Sequence, residues 1–191
     1  MASLTRTEWW LLAAVIVLIA LAPKQANAAQ PDQEQQALLV GDSLAVGLDS
    51  PLVTLLRAEN VEVATHAQEG TVASYWTARV GQLLRQKHYD VLFVSLGTND
   101  CRVANSIACA DFAMQARKIN DWGRAYGTQV VFLVPSWLPE SWVRRVRDAL
   151  LSFDATKIEC IPIEVSSDGI HPTRGGYAQW AEEVVDQWRN L

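Results

Sequence analysis

Four segments of the sequence carry side chains that can act together on a carbonyl group. Ser43 follows the apolar run 38–41 in the segment Gly-Asp-Ser, and Asp168 stands three residues before His171 in Asp-Gly-Ile-His-Pro. A serine hydroxyl becomes a nucleophile when a histidine accepts its proton, and a carboxylate holds that histidine in the correct tautomer. The residue types therefore fit a serine hydrolase. Gly-Asp-Ser alone is more typical of a strand end followed by a helix cap.

Two further segments offer hydrogen-bond donors for a carbonyl oxygen. Asn99 lies in Gly-Thr-Asn-Asp after the apolar run 90–96, and Gly70 lies in the segment Gln-Glu-Gly-Thr. Acyl transfer builds negative charge on the carbonyl oxygen, which an Asn amide and backbone N–H groups stabilise. A glycine lets the backbone approach a ligand closely. The alternative is that both segments are ordinary turns, since Gly, Thr, Asn and Asp all favour turns.

The elements that must position these residues follow from the apolar pattern. Strands are predicted near 37–41, 61–65, 90–96, 129–134 and 157–163. Helices are predicted near 44–58, 72–87, 111–126, 139–151 and 174–189. Continuous runs of Val, Leu, Ile and Phe indicate strands covered on both faces. The pattern predicts an α/β domain, a three-layer αβα sandwich with a five-stranded parallel sheet, whose ligand site lies beyond the carboxyl ends of the strands.

Together the four segments resemble the SGNH/GDSL hydrolase family of GDSL-type esterases and lipases. The family's blocks are Gly-Asp-Ser, a Gly, Gly-x-Asn-Asp and Asp-x-x-His, which occur here in that order over about residues 37–189. The resemblance implies a flavodoxin-like fold, in agreement with the strand pattern. It also implies that Ser43 is the nucleophile, His171 the general base, and Asp168 the carboxylate that orients it.

The resemblance further implies an oxyanion hole. Its donors would be the backbone N–H groups of Ser43 and Gly70 and the side-chain amide of Asn99. The sequence departs from the family at Ala45, where a small hydroxyl residue is common, and in the second block, which lacks the Asn that often precedes the Gly. The implied reaction needs no cofactor, and no Cys/His set has the spacing of a zinc site.

The substrate hypotheses are an ester of a small acyl group and, more narrowly, an O-acetylated cell-wall or extracellular glycan. Trp137, in the loop after the fourth strand, is predicted to contact substrate by stacking on a sugar ring or lining an acyl pocket. The alternative is that it packs against the core or covers a loop. A third hypothesis is a non-catalytic exported module with the same fold.

The amino terminus has the layout of a secretory signal. An Arg-containing start precedes the apolar run 9–22, and small residues follow at Ala26 and Ala28. We predict a signal peptide over residues 1–28, a linker over 29–36 and the hydrolase domain over 37–191. The alternative is an uncleaved membrane anchor at 9–22. The domain is expected to be exported, either periplasmic or secreted.

The net charge restricts the classes of partner, and the cysteine content restricts the possible disulfides. The formal net charge is −5, which argues against nucleic acid or an anionic membrane as the main partner. Only an uncleaved amino terminus would attach the protein to a membrane, and the oligomeric state is left open. An exported protein permits a disulfide. The short spacing between Cys101 and Cys109 predicts a bond between them, with Cys160 as a buried free thiol.

Overall fold

The computed structural model describes residues 34–103, 107–160 and 163–191. The predicted signal peptide, the alternative anchor and most of the predicted linker lie outside the described residues. Among the residues that are described, we find no helix with the length and apolarity needed to cross a bilayer.

Five strands alternate with helices along the described chain. The strands are β1 (Gln35–Gly41), β2 (Val61–Ala67), β3 (Val91–Ser95), β4 (Gln129–Pro135) and β5 (Lys157–Cys160). The helices are α1 (Ser43–Ala58), α2 (Ala73–Gln86), α3 (Thr98–Cys101), α4 (Ile107–Tyr126), α5 (Glu140–Leu151) and α6 (Arg174–Trp188). The strands pair in parallel in the order β2-β1-β3-β4-β5. This confirms the predicted fold class.

Both faces of the sheet are covered, which explains the uninterrupted apolar runs. Leu38 and Val40 of β1 contribute to a core with residues of α2, α4 and α5. Leu39 points to the opposite face, into a second core with residues of α1 and α6. Because side chains alternate along a strand, the central strands β1, β3 and β4 are apolar through most of their length to fill both cores, whereas the edge strand β2 carries the exposed Glu62 and His66.

The short helix α3 was not predicted, and it begins from an unusual backbone position. Gly97 has a φ angle of 107° at the residue before α3. A Cβ atom there would lie 2.9 Å from the Phe112 ring and 3.0 Å from Val146. Only glycine combines that φ with so little space. The tight turn brings Asn99 to the carboxyl edge of the sheet directly after β3.

Candidate active site

The site begins where β1 ends and α1 starts. Asp42 caps α1, because its side chain accepts a hydrogen bond of 3.0 Å from the Leu44 backbone N–H. Ser43 is the first residue of α1. Since Asp42 performs the capping, the Ser43 hydroxyl is not needed to satisfy the helix terminus.

Three predicted residues meet in one hydrogen-bonded chain. The Ser43 Oγ atom lies 2.8 Å from Nε2 of His171, across 128 residues of sequence. The Nδ1 atom of His171 lies 2.6 Å from Oδ2 of Asp168. With the ring hydrogen on Nδ1, His171 donates to the carboxylate and presents Nε2 as the acceptor for the serine proton. This is the arrangement that activates a serine hydroxyl.

The loop itself fixes the Asp168 carboxylate. Its Oδ1 atom accepts hydrogen bonds from the Ser166 hydroxyl at 2.8 Å and from the backbone N–H groups of Ile170 and His171 at 2.8 and 2.9 Å. The hydrogen bond from the His171 ring, followed by these bonds, lowers the pKa of Asp168. The carboxylate is therefore ionised and held in one orientation.

The structure gathers the predicted oxyanion donors beside Ser43. Asn99 donates from Nδ2 to the Thr71 carbonyl oxygen at 3.0 Å, and the same Nδ2 lies 3.4 Å from Oδ2 of Asp42. Gly70 lies in the loop after β2 with a φ of 71°. A cleft of about 490 Å³ is lined by Ser43, Gly70, Asn99 and His171, together with Gly47, Glu69 and Tyr177.

Two carboxylates near the cleft, those of Asp42 and Asp100, are buried. From the sequence, they were expected only to form turns or to cap a helix. Asp42 is 1% exposed, and burial raises its pKa from the usual 3.8 to about 7. Asp100 accepts a hydrogen bond from the backbone N–H of Ala73 at 3.0 Å, and burial raises its pKa as well.

The contact of Asp100 replaces a missing helix cap. Val72 occupies the cap position of α2, where its side chain can make no hydrogen bond. Asp100 supplies the acceptor from 27 residues away, so α3 and the start of α2 are joined at the edge of the cleft. The sequence carried no signal of this pairing, because Thr71 stands at the predicted start of the helix as an ordinary cap residue; its hydroxyl instead donates to the Gln68 carbonyl and accepts from the Trp76 indole N–H.

Trp137 lies in a different place from the one predicted. Its indole N–H donates to the Ile170 carbonyl oxygen at 2.9 Å, and its ring meets the Trp180 ring edge-on with centroids 4.8 Å apart. It is not among the described residues that line the cleft. The geometry corrects the predicted substrate contact: Trp137 packs beneath the loop that carries His171, as in the alternative interpretation.

The predicted disulfide is absent from the structure. Cys101, Cys109 and Cys160 are all in the reduced thiol form, with no disulfide among them. Cys101 and Cys109 are neighbours joined by a hydrogen bond, and burial raises the pKa of the Cys101 thiol. Because a thiolate is the species that forms disulfides, burial of Cys101 in α3 opposes oxidation. Among the described residues, no group of three or more His, Cys, Asp or Glu side chains is placed to hold a metal ion.

Comparison with known proteins identifies the fold. The chain resembles the structure of a psychrotrophic esterase from Pseudoalteromonas sp. at 15% identity and a TM-score of 0.68, over 82% of this chain and 100% of that one. It resembles a lipase/acylhydrolase from Enterococcus faecalis at 15% identity and a TM-score of 0.67, over 82% and 96% of the two chains. An acetylxylan esterase from Geobacillus stearothermophilus matches at 14% identity and a TM-score of 0.62, over 80% and 93%.

Sequence comparison identifies the family. No curated protein matches the chain. The model of the family described as "Protein of unknown function (DUF459)" matches residues 36–151, which include Ser43, Gly70 and Asn99 but end before Asp168. The chain therefore belongs to the DUF459 family, and its fold is that of the GDSL-type lipases and esterases.

Proposed function

We propose that the protein is an exported serine ester hydrolase acting on esters of small acyl groups. The observation that carries the proposal is the chain of contacts from Ser43 Oγ to His171 Nε2, 2.8 Å, and from His171 Nδ1 to Asp168 Oδ2, 2.6 Å. The likeness of the fold to known esterases supports the same reaction class.

In the proposed first step, Ser43 Oγ attacks the ester carbonyl carbon and its proton passes to His171 Nε2. The tetrahedral intermediate collapses, and His171 returns the proton to the departing alcohol. The acyl group then remains on Ser43. Water attacks this acyl-enzyme in the second step, with His171 again accepting and returning the proton, and the acid is released. Asp168 keeps the ring oriented and stabilises the imidazolium.

The Asn99 amide is proposed to stabilise the oxyanion with one of its two hydrogens. One hydrogen is directed to the Thr71 carbonyl at 3.0 Å, and the other has only the longer contact of 3.4 Å to Asp42. An oxyanion in the cleft would replace this weaker contact. The backbone N–H groups of Ser43 and Gly70 are proposed as the remaining donors.

A second candidate is an O-acetyl esterase of cell-wall or extracellular glycan. The likeness to an acetylxylan esterase favours it, as does the predicted export, since such polymers lie outside the cytoplasm. A non-catalytic exported module of the same fold is the remaining alternative. In a non-catalytic module, the Ser43–His171 contact would have no catalytic role.

The test compares wild-type protein with Ser43→Ala in hydrolysis of para-nitrophenyl acetate and in acetate release from acetylated xylan and O-acetylated peptidoglycan. A loss of roughly 10⁴–10⁶ in kcat is expected, by analogy with serine triads. The fold should persist, because Asp42 rather than Ser43 caps α1. Near-normal turnover by Ser43→Ala would refute the proposal. Activity on the small ester without acetate release from either polymer would refute the glycan candidate.

Export is tested separately. The protein is isolated from the periplasm or culture medium of a producing cell, and its amino-terminal residue is determined by mass spectrometry. A terminus at Ala29 is expected from cleavage after Ala28. An intact Met1 on membrane-bound protein would instead favour the anchor.

A further inference from the structure

A second groove continues from the cleft, away from the oxyanion donors. It lies between the middle of α1 and the start of α6 and has a volume of about 550 Å³. The cleft and the groove share Gly47 and Tyr177. A molecule whose ester carbonyl is at Ser43 can therefore extend into the groove without leaving the protein surface.

The wall between cleft and groove is the Tyr177 ring. A Cβ atom at position 47 would overlap this ring, so the glycine in α1 makes its position possible. Tyr177 stacks on the buried Trp180, with ring centroids 6.2 Å apart and planes 28° from parallel. Burial raises the pKa of its hydroxyl to about 12, so the phenol is neutral and can donate or accept a hydrogen bond.

The groove also offers polar groups suited to hydroxyls. Pro51 lies inside α1 and has no N–H, so the carbonyl of Gly47 lacks its normal helical donor four residues later. The hydroxyl-bearing Ser50 lines the same groove. Together with Tyr177, these groups are suited to a polyol, whose hydroxyls need both donors and acceptors.

Arg174 gives the groove a positive charge. It is the only charged side chain among the described residues that line the groove, and it is exposed. No carboxylate forms an ion pair with it in the described chain. Arg174 begins α6, whose first turn contains no acidic residue. The adjoining cleft is lined by Glu69 and not by Arg174, so the cleft and the groove differ in charge.

We infer that the groove binds the alcohol part of the substrate, and that this alcohol is a polyol carrying an anionic group, a carboxylate or a phosphate, which pairs with Arg174. The inference rests on the proposed ester hydrolysis and narrows its substrate class. A guanidinium binds either anion through paired N–H groups. Glu69 in the cleft would repel the same anion, which favours placing the anionic group in the groove.

The experiment uses three esters that differ at one carbon: the O-acetylated methyl glycosides of glucose, of glucuronic acid and of glucose phosphorylated at its primary hydroxyl. The two anionic esters separate carboxylate from phosphate as the source of charge. The measured quantity is the ratio of kcat/KM for each anionic ester to that for the neutral ester. At low ionic strength, we expect a ratio of at least about threefold for one of them, the size of a partly exposed ion pair.

Two variants give a matched comparison. Arg174→Gln should bring the ratio close to one, and Arg174→Lys should keep part of the preference, because the charge remains without the paired N–H groups. Arg124→Gln makes the same change in net charge on an exposed residue of α4, on the opposite face of the sheet, and should leave the ratio at its wild-type value. A wild-type ratio of one or less, or equal effects of Arg174→Gln and Arg124→Gln, overturns the inference.

A binding measurement separates this inference from the proposed function. The Ser43→Ala protein is titrated with glucose, glucuronate and glucose phosphate, and tryptophan fluorescence or heat is recorded. Tighter binding of an anion that is lost on adding Arg174→Gln supports the groove, whether or not the protein hydrolyses esters. Equal binding of all three overturns it. Failure of wild-type protein to hydrolyse para-nitrophenyl acetate refutes only the proposed reaction.

Discussion

Trp137 donates its indole N–H to the carbonyl oxygen of Ile170, the residue immediately before His171, at 2.9 Å. The same ring packs edge-on against the buried Trp180. The loop after β4 thereby supports the loop that carries the proposed base. The proposed reaction needs Nε2 of His171 within hydrogen-bond reach of Ser43, so we expect this support to contribute to activity although Trp137 does not line the cleft.

Replacement of Trp137 by Phe tests this support. Phe keeps most of the packing and removes the hydrogen bond, so we expect a loss of about 1 kcal/mol in the free energy of unfolding. We expect kcat to fall several-fold with little change in KM, because the base is displaced rather than the substrate. Trp142→Phe, in the nearby helix α5, is the matched control and should change kcat little. A rise in KM alone would return Trp137 to the role of a substrate contact.

Asn99→Ala should lower kcat by roughly 10²–10³, the usual effect of removing one oxyanion donor. The shape of the pH–rate profile should stay the same, because Asn99 transfers no proton. Hydrolysis rates over a range of pH, beside Asn120→Ala as a control in α4, check both points. A loss below about threefold would show that the amide does not face the developing charge.

Asp42 should make the protein less stable as pH rises. Its carboxyl has a pKa near 7 in the folded chain and 3.8 ordinarily, so between these values the folded state holds a proton that the unfolded state has lost. The free energy of unfolding should therefore fall by up to roughly 1.4 kcal/mol per pH unit in this window. Asp168, whose pKa is lowered, contributes its full stabilisation throughout the same range.

Urea unfolding of wild type and Asp42→Asn at about pH 4.5, 5.5 and 6.5 measures this dependence. The variant should show a flatter pH dependence, since the neutral amide can still cap α1. The remaining slope should come partly from Asp100, whose pKa is raised in the same direction. Equal slopes in the two proteins would indicate that Asp42 is ionised in the fold at these pH values.

The cysteines should differ in reactivity. Cys109 is half-buried, whereas Cys101 and Cys160 are buried, and burial raises the pKa of both buried thiols. Alkylation of the native protein should label Cys109 first, and urea should expose the other two. Mass spectrometry of the labelled digest identifies each site. A Cys101–Cys109 cross-linked peptide in non-reduced protein would restore the disulfide predicted from the sequence.

The sheet was predictable because burial on both faces leaves a continuous apolar run, as in 91–94, which makes up β3 except for its last residue. Parallel strands place their carboxyl ends at one edge, so Ser43, Asn99 and His171 could be expected to meet before any distance was known. The structure adds the distances between these side chains. It gives a direct Ser43–His171 contact instead of mere proximity.

Features that depend on long-range contacts were not predictable. Asp100 caps a helix 27 residues earlier, and no local pattern indicates such a pairing. The short helix α3 consists of Thr-Asn-Asp-Cys, residue types that are equally typical of a turn. The position of Trp137 depends on Trp180 and Ile170, which are distant in sequence. The disulfide prediction used spacing alone and took no account of the burial of Cys101, which raises the pKa of its thiol.

The distance along the chain between Ser43 and His171 has a consequence for how the protein is made. The proposed nucleophile Ser43 and the proposed oxyanion donors directly follow the first three strands, while Asp168 and His171 come only in the segment after β5. A chain still emerging from the ribosome therefore lacks the proposed base until the segment after β5 has been synthesised. On the proposed mechanism, fragments truncated before Asp168 would present Ser43 as an ordinary alcohol, so incomplete chains of that kind would not hydrolyse esters.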